Sequence, residues 1–264
     1  MQEKSYQELF SMEGKVVIIT GGSGYLGSAL TDGFLAQGAQ VIVADLAHTE
    51  ERLSTGREQA GDSLRFVACD IAQTESIRAM LKESAAIWGR IDVLVNCATY
   101  GALNPIEKMT DEEWNRGLDG AVGTAFRCTR EVIPYFTDQG GGVIVNFASM
   151  YGVVSPDPRI YGKSGQNNPV NYGAGKAAVI QLTRYCAAHL ADRNIRVNCV
   201  TPGPFPSDVK RPPQEFLDEL NKKTMLGRVG KPREIVGAVI YLASDASSFT
   251  TGANIVVDGG WTAW

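Results

Sequence analysis

The chain has 264 residues, 44% hydrophobic and 20% charged, which is enough to bury a substantial core, and its formal net charge is −4. That balance gives no electrostatic footprint for nucleic acid or an anionic membrane, and no apolar run approaches the roughly 20 residues that a bilayer span needs. Residues 1–10 are polar and acidic, unlike a signal or transit peptide, so the expectation is a cytoplasmic protein.

In chain order, strand and helix signals alternate. The run at 15–20 contains Val16-Val17-Ile18-Ile19, apolar enough for a strand buried on both faces. A glycine-rich turn follows, then a helix-period stretch at 25–37. A strand at 40–45, a helix at 50–60, a strand at 64–69, a helix at 75–88 and a strand at 91–96 continue the rhythm. Thr110-Asp111-Glu112-Glu113 reads as a capping box opening a helix over 111–136. Strands at 142–148, 195–201 and 254–257 then alternate with helices at 170–191 and 233–243. This order predicts an α/β fold: a doubly wound, Rossmann-type parallel sheet with helices on both faces. No repeat or polar linker divides residues 1–264, so a single domain is expected. Residues 155–169 and the proline-rich 202–213 read as loops.

Cys69, Cys97, Cys128, Cys186 and Cys199 form no CxxC pair, which fits reduced, buried thiols. His48 and His189 have no metal-ligand spacing, so neither a metal site nor a Ser-His-Asp triad is expected. The stronger signal is Thr20-Gly21-Gly22-Ser23-Gly24-Tyr25-Leu26-Gly27, set between a strand and a helix. Glycines there allow a tight turn and close approach to a pyrophosphate at the helix N-terminus. Asp45 ends the second strand, about 20 residues on, where an acid accepts from ribose hydroxyls and repels a 2′-phosphate. NAD is therefore expected over NADP.

From 15 to 260 the chain resembles the single-domain branch of the short-chain dehydrogenase/reductase family. The carriers are the glycine turn, Cys69-Asp70-Ile71, Asn96-Cys97-Ala98, Asn146-Phe147-Ala148-Ser149, Tyr172-Gly173-Ala174-Gly175-Lys176, Asn198 through Gly203, and Thr251-Gly252 with Asp258-Gly259-Gly260. The resemblance implies a seven-stranded fold, often a tetramer, and a catalytic Ser149, Tyr172 and Lys176. It implies cofactor contacts at Gly21, Ser23, Gly24, Tyr25, Leu26, Asp45, Asp70, Ile71, Asn96, Ala98, Tyr172, Lys176, Pro202, Gly203 and Phe205. It also implies a substrate lid over 202–228. Tyr172 and Lys176 stand one helical turn apart and share a face. A phenol ionises near pH 10, and a nearby ammonium with the nicotinamide charge is expected to lower that toward neutrality. Tyr151, Tyr161 and Tyr185 compete for the role, but none has a lysine four residues later.

The chain departs from the family in four places. The glycine spacing is Gly21-x-x-Gly24-x-x-Gly27; Cys97 and Thr99 replace an asparagine and a glycine; and residues 155–169 are inserted between Ser149 and Tyr172. Alignment through Cys128-Thr129-Arg130 puts Ala121 where the family has an asparagine supporting a proton path from the lysine. Either another group rebuilds that path, or the register differs, or catalysis is weaker. The insert offers Arg159, Tyr161, Lys163, Asn167 and Asn168, with Arg159 and Asn168 as substrate contacts. A sugar, polyol or sugar acid is therefore expected, in line with a likeness to gluconate and other sugar-acid dehydrogenases. The competing expectations are a 3-oxoacyl or other ketone reductase, and a catalytically silent dinucleotide sensor or scaffold. A homo-oligomer, dimer or tetramer, is the expected assembly.

Overall fold

Alternating strand and helix, with each strand apolar on both faces, can only be buried between two helical layers, and that is the arrangement found in the computed structural model. It describes residues 5–6, 8–47, 57–101, 104–162, 167–207 and 212–264. Among these, β1 (Val16–Thr20), β2 (Gln40–Asp45), β3 (Leu64–Ala68), β4 (Val93–Asn96), β5 (Gly142–Phe147), β6 (Ile195–Pro202) and β7 (Asn254–Val257) form one parallel sheet. The strand order is β3-β2-β1-β4-β5-β6-β7. The order reverses between β1 and β4, the switch point where such sheets open a ligand crevice at the strands' C-terminal ends.

Side chains alternate across the pleat. Val16 and Ile18 face a core with Ile77, Met80, Cys128, Val132, Phe136 and Leu190. Val17 and Ile19 face the other, with Leu30, Phe34, Ile235 and Val239. The first layer comes from α2 (Thr74–Trp88), α4 (Thr124–Asp138) and α5 (Val170–Leu190), the second from α1 (Tyr25–Ala36) and α7 (Arg233–Ala243). No helix of the described residues is long and apolar enough to cross a membrane.

Three sequence expectations need correction or restriction. The helix expected at 50–60 falls mostly outside the described residues; only a 3-10 turn at Glu58–Ser63 is seen there, broken at Gly61. The helix expected over 111–136 is divided into α3 (Asp111–Leu118), a π turn at Asp119–Gly123, and α4. Its cause is local: a β-carbon at Gly120 would collide with the Tyr100 carbonyl, so this stretch lies directly on the loop after β4. The third restriction concerns 202–228, where the proline-rich 202–213 is followed by a helix, α6 (Gln214–Lys223).

Candidate active site

Gly21 adopts φ +69, a left-handed conformation that suits glycine, and a β-carbon at Gly27 would run into the Gly21 carbonyl. The turn is thus pulled tight, and Gly24 caps α1 without a side chain in the way. Asp45 fixes the turn from β2: its carboxylate accepts from Ser23 N at 3.1 Å and Leu46 N at 2.8 Å. Thr20 Oγ1 accepts from Cys97 N at 3.1 Å and Ala98 N at 3.2 Å, joining the ends of β1 and β4.

Ser149 follows β5, and its Oγ accepts from Tyr151 N at 3.2 Å, which orients the hydroxyl. Tyr172 stands in the first turn of α5, with Ser149 near enough to favour its phenolate. One turn on, Lys176 Nζ donates to the Phe147 carbonyl at 2.7 Å and stands 5.7 Å from the centre of the Tyr172 ring. Burial pushes the Lys176 ammonium down to about 8, while burial raises the Tyr172 phenol above its ordinary value and Ser149 opposes that rise. The lowering expected from the sequence, which counts on the nicotinamide charge as well as on Lys176, is opposed by this burial. Both groups are desolvated, which disfavours phenolate and ammonium alike. Asn96 donates to Asn146 at 2.8 Å and Asn146 to Thr183 at 3.0 Å, while Asn96 Oδ1 is buried and unpartnered.

Ala121, in the π turn, is buried against α5: a β-carbon on Gly175, next to Lys176, would meet the Ala121 methyl. A methyl thus lies against the helix that carries Lys176, at the position where the resemblance led to an expected amide.

Sequence reasoning missed a network beneath the crevice at the β1–β4 switch point. Arg127 on α4 donates to Asp119 at 2.5 and 3.1 Å and to the Ile71 carbonyl at 3.2 Å through both Nε and Nη2. Tyr100 hydrogen-bonds Asp119, and the Gly120 carbonyl accepts from Thr99 Oγ1 at 2.9 Å. One guanidinium thus ties the loop after β3 to the loop after β4 and to the π turn behind Lys176. Glycines 117, 120 and 123, spaced three apart within a helix-period stretch, were the available signal.

The other assigned residues divide. Asp70 accepts from Ala72 N at 2.9 Å, and Gly203 donates to Val257 at 3.0 Å, so both lie at strand ends beside the crevice. Phe205 packs over Gly230. Arg159 does not join the site: its side chain is 83% exposed and paired with Asp157 at 2.8 Å. Asn168 lines a groove of about 1230 Å³ with Tyr151, Tyr161 and Gly173, and Lys163 lies outside the described residues. Tyr185 is exposed and stacks on His189.

A family model described as "Enoyl-(Acyl carrier protein) reductase" matches residues 24–262. The chain belongs to the short-chain dehydrogenase/reductase family. This short-chain dehydrogenase/reductase is 38% identical over 254 residues to (5R,7aS)-5-hydroxy-7a-methyl-1-oxo-2,3,5,6,7,7a-hexahydro-1H-indene-carboxyl-CoA reductase of Mycobacterium tuberculosis, covering 93% of this chain and 92% of the relative. It is 32% identical over 265 residues to D-threitol dehydrogenase of Mycolicibacterium smegmatis, covering 99% and 98%. A short-chain dehydrogenase from Leptospira borgpetersenii with bound NAD+ superposes with a TM-score of 0.86 at 32% identity, over 99% of this chain and 97% of that one. A gluconate 5-dehydrogenase from Burkholderia cenocepacia in complex with NADP and tartrate gives 0.86 at 28%, over 98% and 100%. Membership makes the chain an oxidoreductase acting on CH–OH groups.

Proposed function

We propose that this enzyme moves a hydride between NAD(H) and a secondary alcohol or ketone, with Tyr172 as proton donor and acceptor, Ser149 holding the substrate oxygen and Lys176 supplying charge. The observation that carries this is the convergence of the three side chains: Ser149 near enough to Tyr172 to oppose the rise of its phenol, and the Lys176 ammonium fixed beside the same ring by the Phe147 carbonyl.

The residues present fit a dinucleotide. The tight turn at Gly21–Gly27 admits a pyrophosphate where a β-carbon would not, and the buried, unpartnered Asn96 Oδ1 lies at the end of β4. Gly21, Ser23, Gly24, Tyr25 and Leu26 would hold the phosphates, Asp45 the adenosine ribose, Asp70 and Ile71 the adenine. Asn96, Ala98, Pro202, Gly203 and Phe205 would flank the nicotinamide half, with Lys176 on its ribose. When bound, the nicotinamide supplies or accepts the hydride. In reduction Tyr172 donates its proton to the carbonyl oxygen that Ser149 holds; in oxidation Tyr172 accepts it.

Relatives bound to NAD+ and to NADP both exist, so the choice rests on Asp45. Calorimetric titration of the protein with NADH and NADPH tests it. NADH binds more tightly, and Asp45→Ala narrows the gap by roughly tenfold, the equivalent of about 1.4 kcal/mol. Equal affinities in the unaltered protein would refute the NAD assignment. The relatives named for D-threitol and gluconate support a polar substrate; the side chains packed on Tyr172 support a different carbon framework.

The exposed Trp114, Phe126, Val170 and Tyr185 on α3, α4 and α5 support self-association through that helical face.

A further inference from the structure

The wall against Tyr172 is apolar. Met150 and Tyr151 come from the turn after Ser149, Phe216 and Leu217 from α6, and Trp261 from the C-terminal segment, and Tyr172 packs against this same cluster. Trp261 stands edge-on to Tyr151 at 6.4 Å between ring centres. Phe216 and Leu217 are only half-buried, so they retain surface that another apolar body can cover.

At the edge of this wall the polar side chains are mostly paired, although Asn168 Oδ1, in the groove with Tyr151 and Tyr161, is buried without a partner. Asn221 Oδ1 accepts from Val229 N at 2.9 Å, and Thr224 Oγ1 accepts from Arg228 N at 3.0 Å. The neighbouring cations are paired as well: Arg159 and Lys223 both with Asp157, and Arg228 with Glu234. Lys163, Lys210 and Arg211 lie outside the described residues. A polyol placed with one carbinol on Tyr172 and Ser149 would set most of its remaining hydroxyls against the carbon of Met150, Phe216 and Leu217, with few partners. A hydrocarbon ring there loses nothing and removes apolar surface from water.

We propose that the substrate of this site is an alicyclic secondary alcohol or its ketone, with a fused-ring or similarly bulky carbon framework beside the reacting carbon. This deepens the dehydrogenase reading and rests on it. In reduction the ketone carbon gains a hydride from NADH, its oxygen gains the Tyr172 proton, NAD⁺ is released, and water returns the proton to Tyr172. The insert that carries Tyr161 thus adds to the apolar wall, because the half-buried Tyr161 ring packs at a tilt against Phe216, with 5.3 Å between centres.

The test compares 1-decalone with 5-ketogluconate, and 1-decalol with D-threitol and gluconate, using NADH, NAD⁺ and their phosphorylated counterparts. The expected kcat/KM for the decalin pair exceeds that of the polar pair by at least about tenfold. Phe216→Ser should erase most of that preference while NADH affinity stays unchanged. Leu217→Asn, on the same helix, serves if Phe216→Ser does not fold. Turnover of the polar set with equal or higher kcat/KM would overturn the inference and leave the dehydrogenase reading standing, as would a preference unmoved by both variants. No turnover of either set by protein that binds NADH would overturn both.

Discussion

Lys176 links charge to chemistry in this site. Its ammonium is desolvated and held by a single carbonyl, and burial brings it down to about 8. It is therefore charged below that pH and neutral above it. Tyr172 is shifted the opposite way by the same burial and stays protonated across that range. Reduction needs a protonated phenol and gains from the adjacent positive charge, so its kcat/KM should fall as pH rises through about 8. A pH-rate profile reads this directly; a flat profile far into alkaline pH would show that Lys176 carries no titrating role. The spacing of Tyr172 and Lys176 made the pair legible in the sequence. Their desolvation was not, because it depends on Ser149, Phe147 and Cys97 arriving from other strands.

Elements whose signals are local were read well. Apolar periodicity located all seven strands, and the capping box at Thr110 formed as its residues required, with Thr110 Oγ1 accepting from Glu113 N at 3.3 Å and Glu113 accepting from Thr110 N at 2.9 Å. Thr110→Ala should cost about 1 kcal/mol, seen as a fall in Tm of roughly 2–4 °C. What the sequence hid is built from distant partners. Arg127 reaches Asp119 across one break in the helix and Ile71 from far upstream. No periodicity encodes such a pairing. Because this guanidinium braces the loops beneath the cofactor crevice, Arg127→Met should raise the KM for dinucleotide by roughly tenfold while kcat at saturation changes little. Equal losses in both, in protein with an unchanged Tm, would show that the network acts on chemistry instead. The role expected for Arg159 failed for a related reason: Asp157, two residues away, captures its side chain first.

At the scale of the molecule, the strand reversal between β1 and β4 gathers the glycine turn, Asp45, Asn96, Ser149 and α5 at one edge. That convergence was foreseen because each motif sits at a predicted strand end. The substrate wall was not, since its parts come from the insert, α6 and the C-terminal segment, and only packing joins them. The apolar residues left exposed on α3, α4 and α5 imply that the protein elutes from size-exclusion chromatography, with light scattering, as an oligomer; a monomer at micromolar concentration would contradict this. The mechanism turns on proton transfer by Tyr172, coupled to hydride transfer at the substrate carbon. The most direct measurement follows NADH oxidation with a panel of alicyclic and polyhydroxy ketones, for the unaltered enzyme beside Tyr172→Phe. Turnover should fall by about 10²–10⁴-fold in the variant with NADH affinity unchanged. A variant that retains the full rate would contradict it.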